Sequence, residues 1–464
     1  MTLQKFVFKP GVDRENTRYT SEGGWYECDK IRFRSGMPEK IGGWNRISTN
    51  SFLGIARSLF SWVTLGSQKL LGIGTHLKFY IEQGGVYYDI TPLRATVSLT
   101  DPFTTVSGST TVTVTDAAGG YINNDFVTFS GASAVGGLTL NGEFQITYLT
   151  GNTYTITASE AASSSATGGG SVSAAYQINT GPSVAEALVG WGAGGWSLGT
   201  WSVGVTSTDA LRLWTQSNFG EDLIFAARGG NLFFWDATDE LTTRGVLLSS
   251  ETGASNVPVK VNTLLVSDNR FVFCFGTNVL GSTDLDPLLL RWSDQENALN
   301  WTPSSTNQAG DLRLSKGSEI ITAIQGRQEI LVWTDSALYA LQYVGAPAVW
   351  GSQTVGENLS IASTNAVAYA NGIAYWMGTD KFYKYDGRTE TLNCDLRRYV
   401  FNDFNENQYE QVFAGTNESF NEIWWFYCAT GSDVPNRYVI YNYSENVWYF
   451  GNLTRTAWVD SGAR

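Results

Sequence analysis

The stretch YWMGTDKFYKYDG, residues 375–387, holds five aromatic residues, two aspartates and two lysines in thirteen positions. It reads as two short strands, 374–377 and 382–385, around the turn Gly378-Thr379-Asp380. Aromatic-rich runs bounded by Gly, Asp and Asn favour hairpins over helices. The pattern recurs at 71–75 with 77–81, at 223–226 with 232–235, and at 331–333 with 338–341. Two looser copies are 271–275 with 288–292 and 423–427 with 438–443. The six copies begin near 71, 223, 271, 330, 374 and 423, and the last four intervals are 48, 59, 44 and 49 residues.

That period matches one four-stranded propeller blade, roughly 40 to 50 residues. A blade leaves apolar faces that only its neighbours can cover, so such repeats come as rings. The first interval, 152 residues, is too long for one blade. Within it the chain turns rich in Thr, Ser, Gly and Val. TTVTVTDAAGGYINNDFVTFSG and NGEFQITYLTGNTYTITASE alternate like strands between Gly and Asn turns. The expected fold is therefore all-β: a six-bladed β-propeller with an inserted small β-domain and an N-terminal arm. The parts are the arm or docking segment at 1–50, blade 1 at 51–94, the inserted domain at 95–180, and the remaining blades at 181–464. GWGAGGWSLGTWS (190–202) places Trp191, Trp196 and Trp201 five apart, neither a strand nor a helix period. It reads as an aromatic-anchored loop, with a contact surface as its functional reading.

The chain is 42% hydrophobic and 16% charged, so it can build a packed core and is not a disordered segment. The net charge of −13 is uneven: +5 over residues 1–94, −7 over 95–211, which has no Lys or Arg, and −11 over 212–464. A basic end on an acidic body suits docking on an acidic partner. The acidic body argues against tight nonspecific DNA binding, which needs cations against phosphates. No run of about 20 apolar residues is present, so no membrane insertion by this chain is expected, and the N-terminus lacks a signal-peptide core. Cys28, Cys274, Cys394 and Cys428 are scattered and read as buried free thiols.

Little in the inventory supports catalysis. His76, the one histidine, lies in GTHLKF at an expected turn and reads as structural. One His and four dispersed Cys cannot supply a His-based zinc site. SDQENALNW (293–301) loosely resembles the aspartate box of sialidase propellers but lacks its glycine. It reads as a turn staple, with Asp294 capping turn amides and Trp301 packing between sheets. Asp284 and Asp286 of DLD lack an EF-hand context and read as a solvated loop. There is no GxxxxGK[ST] phosphate loop, and GGG at 168–170 opens no helix. Paired carboxylates are the remaining enzymatic signal, but among 43 acids the sequence selects no pair. No catalytic, cofactor-binding or metal residue is expected.

RFRSGMPEKIGGW (32–44), DITP (89–92), RWSDQENALNW (291–301), AGDLRL (309–314), NEIWWFY (421–427) and YNYSENVWYFG (441–451) occur in an order that resembles the tail nozzle proteins of short-tailed bacteriophages. These are also called tail tubular protein B or packaged-DNA stabilisation proteins. The resemblance spans nearly the whole chain except the inserted domain, and many similar proteins continue past the point where this chain ends, RTAWVDSGAR. It implies a non-enzymatic structural virion protein of the phage tail, assembled in the host cytoplasm as a homo-hexamer below the head-to-tail adaptor and portal. The ring would retain packaged double-stranded DNA and conduct it at ejection without sequence-specific binding, with tail fibres as further partners. An acid-rich wall would let the duplex slide by repulsion. The alternative is a propeller-fold receptor-binding protein or glycan hydrolase of a phage tail. A third option is a lectin-like propeller from outside viruses.

Overall fold

The computed structural model describes residues 8–117, 119–185 and 210–460. Its described residues are almost all strand and loop; the α-helix Arg397–Asn402 has six residues. The expected aromatic loop at 190–202 lies outside the described residues.

Six four-stranded antiparallel sheets follow one another along the chain, each with its strands in sequence order. Sheet 1 runs from Ala56–Val63 to Val86–Asp89 and sheet 2 from Trp214–Phe219 to Val246–Leu247. Sheet 3 runs from Val261–Val266 to Gly310–Arg313 and sheet 4 from Ile320–Gln325 to Val349–Glu357. Sheet 5 runs from Val367–Ala370 to Thr389–Leu392 and sheet 6 from Phe413–Asn417 to Val447–Asn452. This is a propeller-like all-β architecture. Each repeated hairpin of the sequence supplies the two middle strands of one sheet. Middle strands are covered on both faces, so they are largely apolar: Ile330–Thr334 and Glu422–Tyr427 are buried at every position.

Aromatic contacts join successive sheets. Phe79 stacks on Phe225 at 4.3 Å between sheets 1 and 2, and Phe273 meets Trp350 at 5.0 Å between sheets 3 and 4. Trp333 meets Trp376 at 5.3 Å between sheets 4 and 5, and Phe382 meets Trp425 at 5.0 Å between sheets 5 and 6. Sheets 2 and 3 share a cluster containing Ile224, Leu232, Cys274 and Trp301. The C-terminal segment packs on sheet 6. Trp458 stacks on Trp424 at 5.8 Å and on Phe426 at 5.9 Å. Gly415 permits this, because a Cβ there would lie 2.2 Å from the Trp458 ring.

The N-terminal segment adds no strand to sheet 6. Ile31–Arg34 and Met37–Lys40 pair only with each other. The segment instead lies against sheet 6 through side chains and single backbone bonds, such as Val12 N–H to the Trp448 carbonyl at 2.7 Å. The reason is local: sheet 6 already has four strands of its own, and the turn at Ser35-Gly36 folds the segment back on itself, both residues at positive φ.

Between Leu93 and Gln177 the chain forms two further sheets, of four and five strands, that enclose their own core around Val112, Phe129, Tyr154 and Tyr176. This unit is pinned to sheet 1 by charges. Lys78, 2% exposed, donates to Asp89 at 2.7 Å and to Glu143 of the inserted unit. Gln177 donates to Glu143 at 2.6 Å, and Arg244 of sheet 2's outer loop lies 3.5 Å from Asp89 and 3.6 Å from Glu143.

Candidate functional site

Three places concentrate polar chemistry. The first is the joint between the N-terminal segment and sheet 6. Glu422, at the start of a fully buried strand, accepts two parallel hydrogen bonds from Arg32, Nε at 2.8 Å and Nη2 at 3.0 Å. Tyr449 Oη donates at 2.6 Å, Trp424 Nε1 at 2.9 Å and Asn417 Nδ2 at 3.3 Å. The Arg32 guanidinium also lies 3.4 Å from the Phe420 ring centre. Both carboxylate oxygens are satisfied, so this buried charge is stable and holds no free valence for a substrate. Arg32, Glu422 and Tyr449 belong to three separate stretches of the sequence resemblance, which meet on one carboxylate.

The second place is a small cleft at the mouth where the inner strands begin. Arg228 grips Glu410 with Nη1 at 3.0 Å and Nη2 at 2.9 Å. Glu319 and Tyr409 line the same cleft, whose volume is about 80 Å³. Partial burial and then the nearby Asp335 raise the Glu319 carboxyl above its ordinary range. Burial also raises Tyr409, with Glu410 and Glu319 adding to it. One acid locked to an arginine beside another that holds its proton more tightly is an acid–base pattern. The volume is well below the roughly 300 Å³ at which ligand pockets begin, so the cleft as it stands does not take a sugar ring. Sequence reasoning missed these residues because Arg228, Glu319 and Glu410 lie in three different sheets' connections, and no spacing links them.

The third place is the central cavity, about 520 Å³, lined by the first strands of all six sheets and by Ala457 and Trp458. Its polar lining is hydroxyl and amide: Thr215, Gln216, Thr263, Thr322 and Asn365 among others. A cavity of this size takes a small molecule and not a duplex.

The remaining sequence candidates are structural. His76 accepts the Ile55 N–H at Nδ1, 3.0 Å, and burial, then the Arg57 charge, lowers its pKa. Asp294 accepts from the Gln295 and Gln308 N–H groups, both at 2.9 Å, and Trp301 is 1% exposed. Asp286 accepts from Arg313 Nε at 2.6 Å, and Asp284 from Ser282 at 3.0 Å. Among the described residues no three His, Cys, Asp or Glu side chains gather as a metal site. Cys274 and Cys428 are buried, while Cys28 and Cys394 are half-buried, all as free thiols.

No family model matches this chain, and no curated protein does. Among solved structures, the phage phi92 endosialidase aligns at 13% identity and TM-score 0.22, over 85% of this chain and 55% of that one. The extracellular domain of a hybrid two-component system from B. thetaiotaomicron aligns at 9% identity and TM-score 0.32, over 86% and 51%. A Lactobacillus plantarum protein aligns at 10% identity and TM-score 0.32, over 87% and 97%. This chain thus spans about half the length of the first two. Likenesses this remote carry no argument about activity.

Proposed function

We propose that this chain is a propeller-built structural protein of a short-tailed phage, its six sheets closed into one ring, and that it serves as the tail nozzle subunit. The observation that carries the reading is the convergence on Glu422. Arg32, Glu422 and Tyr449 come from the stretches RFRSGMPEKIGGW, NEIWWFY and YNYSENVWYFG, and all three are committed to one buried joint. The residues behind the resemblance therefore serve cohesion between the N-terminal segment and the last sheet, as a subunit under mechanical load requires. In this reading six copies form a cyclic ring with heterologous contacts that close. DNA passes along the axis between subunits, since the cavity inside one chain is too small for it. The assembly docks on the adaptor and portal above and supports tail fibres.

A second reading is a tail receptor-binding protein or glycan hydrolase; the raised Glu319 beside the arginine-bound Glu410 favours it, and the cleft would have to widen to admit a sugar ring. One experiment separates the two. Phage particles assembled without this chain should, as nozzle-less particles, package DNA and then lose it, leaving empty heads. Particles that keep their genome but fail to adsorb would overturn the nozzle reading in favour of the second. Loss of glycan cleavage in Glu319→Gln particles would identify the hydrolase.

A further inference from the structure

The two sheets of the inserted unit end in four edge strands, and three of these edges are blunted. Gly142–Gln145 carries Glu143, which is committed to Lys78. Thr147–Thr150 has its Tyr148 N–H capped by Asn123 Oδ1 at 3.2 Å, and Ala166–Gly168 is three residues long. The fourth edge strand, Leu93–Thr100, has eight residues and pairs on one side only, with Ser171–Gln177. From Ala95 to Thr100 it holds no charged residue, no proline and no shift of register.

The direction of its backbone groups follows from its C-terminal end. Asp101 N–H donates to the Gly170 carbonyl at 2.8 Å, in register with the Thr100–Ser171 pair beside it. Bonding alternates along an antiparallel pair, so Val97 and Leu99 also bond to that neighbour, while the N–H and C=O groups of Thr96, Ser98 and Thr100 point away from it. All three residues are exposed, and among the described residues no hydrogen bond reaches these outward groups. Val97 and Leu99 turn to the unit's core and are half-buried. The strand is therefore an open template for a further strand.

We propose that this edge binds the same strand of a second copy of the chain, antiparallel about a two-fold axis at Ser98, joining two four-stranded sheets into one. In that register Ser98 meets Ser98, Val97 meets Leu99, and Thr96 meets Thr100. Apolar side chains then adjoin on the core face and hydroxyls on the wet face, with two backbone hydrogen bonds at each outward pair. The nearest charges, Arg94 and Asp101, are of opposite sign at opposite ends of the strand, so the antiparallel order brings unlike charges together. The contact is narrow, so its dissociation constant is expected to be on the order of 100 µM. This goes beyond the nozzle reading and does not rest on it. A two-fold contact joins free chains or facing rings, not neighbours around a sixfold axis.

The test reads amide exchange of the full chain, residue by residue, at two concentrations. Between about tenfold below and about tenfold above the dissociation constant, exchange at Thr96, Ser98 and Thr100 should slow about fourfold, while Val97 and Leu99, already bonded, stay unchanged. Ser98→Pro removes an outward N–H and no bond to Ser171–Gln177, so the folded chain should persist and the concentration effect should vanish. Ser98→Cys should give a disulfide-linked dimer with oxidised glutathione, since facing Cα atoms of such a pair lie about 5.5 Å apart. Thr167→Cys, on the short edge Ala166–Gly168, should link at least about tenfold more slowly. The exchange and disulfide readouts stand even where the proline variant does not fold. Equal exchange at both concentrations, equal linking by the two cysteine variants, or a concentration effect that survives Ser98→Pro would overturn the proposal.

Discussion

Replacing Arg32 by Met strands a carboxylate. Glu422 is fully buried, and its two bonds to Arg32 are its only ones to a cation among the described residues. Breaking one side of a buried pair costs about 3–5 kcal/mol. The donors left behind, Tyr449, Trp424 and Asn417, argue for the lower end. Against an unfolding entropy that scales with 464 residues, about 3 kcal/mol lowers the thermal midpoint by roughly 3 °C. The local effect is larger in relative terms. If the joint holds the N-terminal segment in place, the same free energy raises the population of the released segment by about a hundredfold. Chymotrypsin cleavage at the half-buried Tyr26 reads that population. The charge-free double variant Arg32→Met with Glu422→Gln should recover at least half of the loss, since no charge is then stranded. A cleavage rate for Arg32→Met within twofold of the parent would refute the reasoning.

Other consequences are as specific. Gly415→Ala sets a Cβ 2.2 Å from the Trp458 ring, so it should cost about 1–3 kcal/mol and shift tryptophan emission to the red. Trp458→Ala in the same chain should remove that penalty, and a Gly415→Ala protein with unchanged stability would refute the wedge. Burial pushes Asp89 up, but Lys78 and Arg244 outweigh it and hold its carboxyl below the usual range. A depressed folded pKa gives stability that is full above the unfolded value, near 3.9, and lost as pH falls through the folded one. The protection of amides where the inserted unit meets sheet 1, measured against their intrinsic exchange rates, should thus hold from about pH 8 to pH 5 and fall only below about pH 4; a fall in protection near pH 6 would count against the latch. Burial raises all four thiols, Cys28 to about 11 and Cys428 to about 12. A thiol reagent at about pH 8 should therefore label none in the native chain and all four once it unfolds; rapid labelling of any one would contradict the burial.

How much could be read beforehand follows from where each strand sits. The middle pairs, such as Ala374 to Met377 with Phe382 to Tyr385, are sealed on both faces, so their apolar runs stand out in sequence. First strands face the central cavity on one side and carry Ser58, Gln216 and Thr263, which blend with loop composition. Most fourth strands are outermost and half wet, as in Gly310–Arg313, and leave almost no pattern; that of sheet 6, Val447–Asn452, lies under the N-terminal segment and is apolar. The hairpin period was therefore legible while half of each sheet was not. The Glu422 joint was legible only as separate stretches, because Arg32 and Glu422 are 390 residues apart. Arg57 gave no signal at all: an arginine between Ala56 and Ser58 looks like any exposed one until the surrounding sheets bury it.

The central claim is that copies of this chain close into a ring around an axis that DNA can pass. The most direct measurement is the native mass of the chain assembled with its tail complex. Six copies per complex, arranged with sixfold symmetry in projection, are expected. A stable monomer or trimer under the same conditions would contradict it.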